Sequence, residues 1–511
     1  MGIKSLPKSI TISLTLLLSG LLLVSPQALT FIDPTALLRG ASAQELREHI
    51  LHNRPPPSPD VNDPNLRVEE VFDGLELPTS MAFLGENDIL VTEKDSGRVQ
   101  RIIDGEMQDD PVIDVQVANN DERGLLGIDI SNTNGTANNE QYVFLYFTES
   151  GGGEDGDDWS AGIPPSGTRL YRYNIVQAIG EDDDDDDDDD DDEAQVQLSN
   201  GTLLLDLPAT PGPRYHGGPV TVGPDNNVYV VIGTVDHHET QAQNFEDAPE
   251  PDGTSGVLRI TQEGGVADIQ GVISEEIPLN LYYGYGMRQS FGMEFDPVTG
   301  NLWDTENGPD QYDELNLVEP GFNSGWRDVS GLAGRAGDLN IEDDLVDFDG
   351  RGRYSDPEFT WQQTVAPTGL DFLNSTGLGA AYQNDLFVGD YNNGNLYHFD
   401  LNENRTQLVL GGGLADRALD PGDEVGGILF GTGFGGITDV KVGPDGYLYV
   451  LTFQDDGGSI YRIVPEDLDT DDDEADGDTD EAEIEETTDD TGAPTLAQTL
   501  VERITRDVTS Q

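Results

Sequence analysis

The chain has 511 residues, 61 of them Gly and none Cys, and its 100 acidic and 25 basic side chains give a formal net charge of −75. Without thiols there are no disulfides, no thiolate metal site and no cysteine nucleophile. The charge excludes electrostatic attraction to phosphates, so nucleic acid is not an expected partner. The only lysines are Lys4, Lys8, Lys94 and Lys441, and such a surface suits a high-salt medium, where repulsion is screened within about 3 Å at 1 M.

Lys4 and Lys8 precede the apolar run Ile10 to Val24, a charged and then a hydrophobic region of export-signal size. Residues 1–43 are therefore expected to be a signal peptide, cut after Ala28 or Ala43, and the protein is expected outside the cell or at its surface. Membrane anchoring follows only if the apolar run is retained. Four Asn-x-Ser/Thr sequons, at Asn134, Asn200, Asn374 and Asn404, would then be open to glycosylation. Residues 44–64 contain "RPPPSPD" and read as a Pro-rich linker.

From residue 65 to 464 the pattern is β: short alternating runs separated by Gly, Asn and Asp. A multi-strand unit recurs six times, beginning at "SMAFLGENDILV", "GLLGIDIS", "GGPVTVGPDNNVYVVIG", "FGMEFDPVTGNLWDTE", "TGLDF" and "GITDVKVGPDGYLYV". Such repetition predicts an all-β fold, a six-bladed propeller of four-stranded antiparallel blades; an open sandwich is the alternative. The run of Asp between Glu181 and Glu193 is expected to be a solvated loop between two strands, since it lacks the spaced ligands of a defined calcium site. Residues 465–511 are an acidic tail unable to bury enough apolar surface to fold, with a short amphipathic segment at the end.

In a propeller the segments before each first strand converge on one mouth of the axial channel. Here they carry Pro78-Thr79, Glu122-Arg123, Tyr215-His216, Arg288-Gln289, Pro367-Thr368 and Ile437-Thr438. A histidine, a guanidinium and carboxylates in one cup make a candidate active site. The adjacent His237 and His238, lacking a partner motif, are expected in a solvated loop. Tyr283, Tyr285 and Trp326 are candidates for stacking on a planar ligand, or else for the core.

The block Tyr283 to Trp326, "YGYGMRQSFGMEFDPVTGNLWDTENGPDQYDELNLVEPGFNSGW", with "ERGLLGIDI", "HGGPVTVGPDNNVYVVIG" and "GGITDVKVGPDGYLYV", resembles the soluble quinoprotein glucose/sorbosone dehydrogenases, also called aldose sugar dehydrogenases. The resemblance covers roughly residues 65–464. It implies a six-bladed propeller holding pyrroloquinoline quinone (PQQ) and calcium, a small-molecule sugar substrate whose C1 hydroxyl is oxidised to a lactone, and an external electron acceptor. By the same resemblance His216 is the catalytic base and Arg288 the cation beside the quinone. Glu122, Tyr215, Gln289 and Thr438 line the cofactor, the carbonyls of Gly308 and Pro309 bind its calcium, and Glu314 with the Ser324 carbonyl forms a second calcium site.

The sequence also departs from that family. Its usual His-x-Gly-Gly places histidine where this chain has Tyr215, with His216 directly before Gly217. A one-residue slip turns a side chain to the other face of a strand. The aspartate that orients the family histidine is replaced by Thr234, with Asp236 two residues on. Basic residues that clamp the cofactor carboxylates are replaced by Asn392, Gly436 and Thr438; Arg123 and Lys441 are the candidate substitutes, Lys441 with its side chain expected to face solvent. These departures keep two alternatives open: a carbohydrate-binding or cell-surface propeller without tight PQQ binding, and a calcium-dependent lactonase-like hydrolase.

Overall fold

The computed structural model describes residues 59–467, except 132–140, 157–161, 179–194, 269–270, 336, 338, 424 and 455–456. The expected signal peptide, the poly-Asp run and nearly all of the acidic tail lie outside the described residues. The β prediction begins in the turns. In "VGPDNNVYV" the Asp225 carboxylate accepts the N–H of Asn227 at 3.1 Å and the hydroxyl of Tyr229 at 3.0 Å. In "VGPDGYLYV" Asp445 accepts the N–H of Tyr447 at 3.1 Å and the hydroxyl of Tyr449 at 2.8 Å. Each turn has a positive φ, 60° at Asn226 and 81° at Gly446, where Asn and Gly are the favoured residues.

Six sheets form among the described residues. Their innermost strands, in order of sheets 1 to 6, are Pro78–Gly85, Leu125–Ile130, Val220–Val222, Ser290–Phe295, Pro367–Phe372 and Gly436–Val442. Each touches the next, and the sixth touches the first, so the inner strands close a ring. The fold is an all-β propeller. The expectation of uniformly four-stranded blades is corrected: the sheets carry four to six strands. Sheet 3 gains Phe322–Asn323 and Arg353–Tyr354 by parallel pairing, and Asp60–Val61, expected in the linker, pairs with Leu429–Thr432 of sheet 5. Strands Gly167–Ala178 and Gln195–Leu207, on either side of the poly-Asp run, pair antiparallel.

Leu66–Leu75 completes sheet 6 by pairing with Gly457–Pro465, Leu66 opposite Pro465. The two ends of the domain thus close one sheet, and cover an edge that would otherwise be open. Apolar clusters fill the spaces between neighbouring sheets. Between sheets 4 and 5, for example, Trp303, Phe359 and Trp361 pack on Leu370, Phe372 and Tyr397.

Side chains on the first and second strands bond across the sheet boundaries. Thr79 Oγ1 donates to Leu125 O, Thr305 Oγ1 to Thr368 O and Thr368 Oγ1 to Ile437 O, all at 2.8 Å. The carboxylates of Asp129, Asp371 and Asp439 accept the N–H groups of Val222, Val442 and Met81 at 2.6, 2.7 and 2.9 Å. Lys441 does not face solvent as expected: it points into the axial channel and its Nζ lies 3.0 Å from Glu294. The negative charges of Glu294, Asp439, Asp371 and Asp129 hold its pKa high against the opposing effect of burial. This group lies where the inner strands end, beside a cavity of about 700 Å3, and so at the opposite end of the channel from the pre-strand segments. Among the described residues no helix is long and apolar enough to cross a membrane.

Candidate active site

The segments that precede the inner strands of sheets 2, 3 and 4 are bonded together. Glu122 Oε2 accepts the N–H of Tyr215 at 2.6 Å and the side-chain amide of Gln289 at 3.0 Å. Gln289 Oε1 in turn accepts the N–H of Gly217 at 3.0 Å. Burial pushes the Glu122 carboxyl up from its ordinary value, and the Tyr215 N–H opposes that shift. Glu122, Tyr215 and Gln289, singled out from the sequence, therefore form one connected group.

Arg288 is the centre of the mouth. Its Nη1 donates to the carbonyls of Asn307 at 2.8 Å and Gly308 at 3.0 Å, and its backbone N–H donates to Glu306 Oε1 at 2.6 Å. The guanidinium carbon lies 4.3 Å from the centroid of the Tyr215 ring and 5.5 Å from that of Trp326, within cation–π range. Its Nε is buried with no hydrogen-bond partner.

His216 occupies a different environment. It is fully buried. Its Nδ1 lies 2.9 Å from Thr168 Oγ1 and its Nε2 3.1 Å from the Gly212 carbonyl, while its own carbonyl accepts the Tyr146 hydroxyl at 2.8 Å. Both ring nitrogens thus face partners inside the protein instead of the mouth. The backbone explains the placement. Tyr215 has φ +62° and Gly217 φ +75°, so the chain reverses on either side of His216. A Cβ at Gly217 would stand 2.1 Å from the Val231 carbonyl. The turn sends Tyr215 onto Arg288 and His216 into the interior. Thr234 does not orient it: Thr234 Oγ1 is buried and unpartnered, and the ring bonds the Thr168 side chain.

Behind Arg288 is a buried acidic group. Ser324 Oγ donates to Glu306 Oε2 at 2.6 Å and to Glu314 Oε2 at 3.2 Å; Glu314 Oε1 accepts the N–H of Gly331 at 2.5 Å. Burial pushes Glu306 up to about 7. It raises Glu314 well above the ordinary range, with the charge of Glu306 adding to the effect. Asp304 Oδ1 and Asn316 Oδ1 are buried acceptors with no partner, as is Asn307 Oδ1. Oxygen acceptors of this kind, crowded and lacking donors, suit a hard cation. Gly308 and Pro309 follow Asn307 in a turn held by Asp313, whose Oδ1 accepts the Gly308 N–H at 2.8 Å and whose Oδ2 accepts those of Val365 and Ala366 at 2.6 and 2.8 Å. Glu306 links the two sets of expected ligand residues, one carboxylate oxygen accepting the Arg288 N–H and the other the Ser324 hydroxyl.

Other expected residues lie elsewhere. Thr438 donates to Leu451 O at 3.4 Å within its own sheet. Arg123 is fully buried, donating to the carbonyls of Ala209 and Gly212, and with Lys441 at the far end neither proposed substitute reaches the mouth. Tyr283 packs on Tyr229 and Tyr285 on Phe348, so of the three aromatic candidates only Trp326 meets Arg288. His238 pairs with Asp252 at 2.9 Å. His237, expected as a solvated loop residue, is exposed but sits at the mouth, its ring centroid 4.8 Å from Tyr215 and 6.3 Å from Trp326. Glu306, Asp313 and His237 were not selected from the sequence. The acidic loop "DTENGPD" contained the only local signal for Glu306.

Residues 75–462 match the family model described as Glucose / Sorbosone dehydrogenase. The aldose sugar dehydrogenase of Escherichia coli is 25% identical over 266 residues, 52% of this chain and 64% of that protein. The quinoprotein glucose dehydrogenase B of Acinetobacter calcoaceticus is 30% identical over 152 residues, 26% of this chain and 30% of that protein. Among solved structures, a putative oxidoreductase (glucose dehydrogenase) from Thermus thermophilus superposes with a TM-score of 0.55 at 26% identity, covering 78% of this chain and all of the other. This chain belongs to the glucose/sorbosone dehydrogenase family and is an oxidoreductase acting on sugar CH–OH groups.

Proposed function

We propose that this chain oxidises the anomeric hydroxyl of an aldose to a lactone, with PQQ as the first electron acceptor and an external molecule as the second. Arg288 carries this assignment: its Nε is a buried donor without an acceptor, a poor arrangement for a protein interior and a suitable one for a quinone oxygen. Asn307 Oδ1 with the Gly308 and Pro309 carbonyls, and Glu314 with Ser324, are donor sets suited to calcium. When bound, the quinone supplies a two-electron acceptor. The chain's own residues orient and stabilise. Arg288 offers positive charge to oxygens that become negative. Glu306 holds the Arg288 backbone, Glu122 holds the Tyr215 backbone and Gln289 that of Gly217, and Tyr215 and Trp326 present ring faces to a planar ligand. We read the six sheets as six blades around a common axis, residues 1–43 as an export signal, and the protein as acting outside the cytoplasm.

Purified protein titrated with PQQ and calcium should develop quinone absorbance and then reduce a dye only when an aldose is added. No quinone uptake and no dye reduction at saturating cofactor would reject the assignment. A second reading, a carbohydrate-binding propeller without tight PQQ binding, is favoured by the placement of Arg123 and Lys441 away from the mouth. Calorimetric sugar binding by protein that takes up no quinone would establish it.

A further inference from the structure

We infer that His237, and not His216, accepts the proton of the substrate hydroxyl. The inference rests on the dehydrogenase reading above and adds to it the identity of the base. Proton transfer requires an imidazole nitrogen that is free, placed at the mouth and unprotonated at working pH. Of the two histidines nearest the mouth, His216 fails the first two conditions, since Thr168 and the Gly212 carbonyl take both of its nitrogens and the ring has no exposed surface. The His237 ring makes no hydrogen bond among the described residues. It stands over the Tyr215 and Trp326 rings that flank Arg288.

The backbone that presents His237 is unusual. Val235, Asp236 and His237 have φ values of 44°, 56° and 62°. Three successive residues other than Gly in the left-handed region are strained, and for β-branched Val235 the cost is highest. Such strain persists only where the surroundings impose it. Here they do. The N–H of Val235 donates to Tyr215 O at 3.1 Å and that of Asp236 to Arg214 O at 2.8 Å; the N–H groups of Thr234 and His238 donate to Arg288 O at 3.0 Å and Thr234 O at 2.8 Å. The loop is tied to the segments that carry Tyr215 and Arg288, so the His237 ring is positioned relative to both.

The charges around the ring favour its neutral form. Partial burial lowers its pKa from the ordinary histidine value, and the positive charges of Arg288, Arg214 and Arg327 act in the same direction, with Asp236 opposing. A neutral imidazole at pH 7 has a lone pair available. In the step, the substrate O–H bond breaks and its proton passes to that lone pair. The quinone, when bound, would supply the acceptor for the C1–H electron pair, leaving as hydride while the C1–O bond becomes a carbonyl. The sugar loses one proton and one hydride, and the hemiacetal becomes a lactone.

The test uses the full chain and two readouts. Carbethoxylation with diethyl pyrocarbonate, mapped by peptide mass, should label His237 and spare His216 in cofactor-free protein, and PQQ with calcium should slow labelling of His237 at least tenfold. In cofactor-loaded protein His237→Gln should lower kcat by about 10²- to 10⁴-fold with the quinone affinity unchanged, and should remove the acid limb of the pH–rate profile. His238→Gln should keep the full rate. Labelling of His237 that PQQ leaves unchanged, or a His237→Gln protein with undiminished kcat, would overturn the role of His237 while an active parent protein leaves the dehydrogenase reading intact. An inactive parent protein that takes up no quinone would overturn both.

Discussion

Two neighbouring residues in "RYHGGP" have opposite fates, and a single backbone angle separates them. The left-handed conformation at Tyr215 turns its ring onto the Arg288 guanidinium, while His216 goes into the gap between sheets 2 and 3. His216→Ala should therefore act first on stability. It removes a packed ring and leaves Thr168 Oγ1 short of a partner, at a cost of about 2–4 kcal/mol, read as a lower urea midpoint. Arg288→Lys tests the other side of the turn. A lysine keeps the charge but has neither the planar face that stacks on Tyr215 nor a second donor in fixed geometry, and kcat/KM of the loaded protein should fall about 10²-fold or more. Arg288 was legible in the sequence because its pre-strand position and the family resemblance both pointed to the mouth; Arg123, in the equivalent position of sheet 2, shows that the position alone does not decide. The orientations of Tyr215 and His216 were not, because they depend on a φ value that adjacent residues do not encode. Thr438 illustrates the same limit: its position beside a mouth was readable, but its bond to Leu451 O was not.

At the scale of elements, the repeats were legible because turn chemistry recurs between sheets. Asp225 and Asp445 perform the same two bonds in sheets 3 and 6, and "GPD" marks both turns. The additions to the sheets were not legible. Asp60–Val61, Phe322–Asn323 and Arg353–Tyr354 are two-residue strands, too short for any alternating pattern. Closure of the ring gives a direct prediction. Deleting residues 59–75 removes the strand opposite Gly457–Pro465 together with the buried Leu66 and Leu75, and so strips cover from the buried Ile463 and Ile460. The shortened protein should lose cooperative unfolding and associate, as an unpaired edge templates further strands; chromatography and thermal melts would register it. Asp313→Ala probes the turn at the mouth. Three N–H groups would lose one carboxylate, with an expected cost of about 2–4 kcal/mol in stability and a weaker calcium dependence of the melting temperature.

For the whole molecule, charge and buried acid act together. A net charge of −75 opposes compaction at low ionic strength. Salt near 1 M, with a screening length of about 3 Å, should raise the melting temperature. A second dependence should survive that screening. Burial raises Asp129 to about 6 and Asp371 and Glu358 to about 7. A carboxyl whose folded pKa exceeds its unfolded one binds its proton more tightly in the native state. Its stabilising contribution is complete below about pH 4 and is lost as pH rises through 6 to 7. The melting temperature measured in 1 M salt should therefore fall between pH 5 and pH 8. A flat profile would mean that these carboxyls are ionised without cost, compensated by Lys441 and the backbone donors around them.

The sequence by itself determined the β class, the repetition of a strand unit, the acidic charge and the pre-strand positions of Glu122, Tyr215, Arg288 and Gln289. Periodicity, turn residues and charge are local properties, and they were written in consecutive positions. Tertiary structure alone decided which of those mouth residues touch one another, that Lys441 points inward among four carboxylates, and that His237 and not His216 is exposed beside Arg288. Those outcomes depend on the direction of side chains brought together from sheets far apart in the chain. A rotation of one backbone angle changes them while leaving the residue pattern untouched.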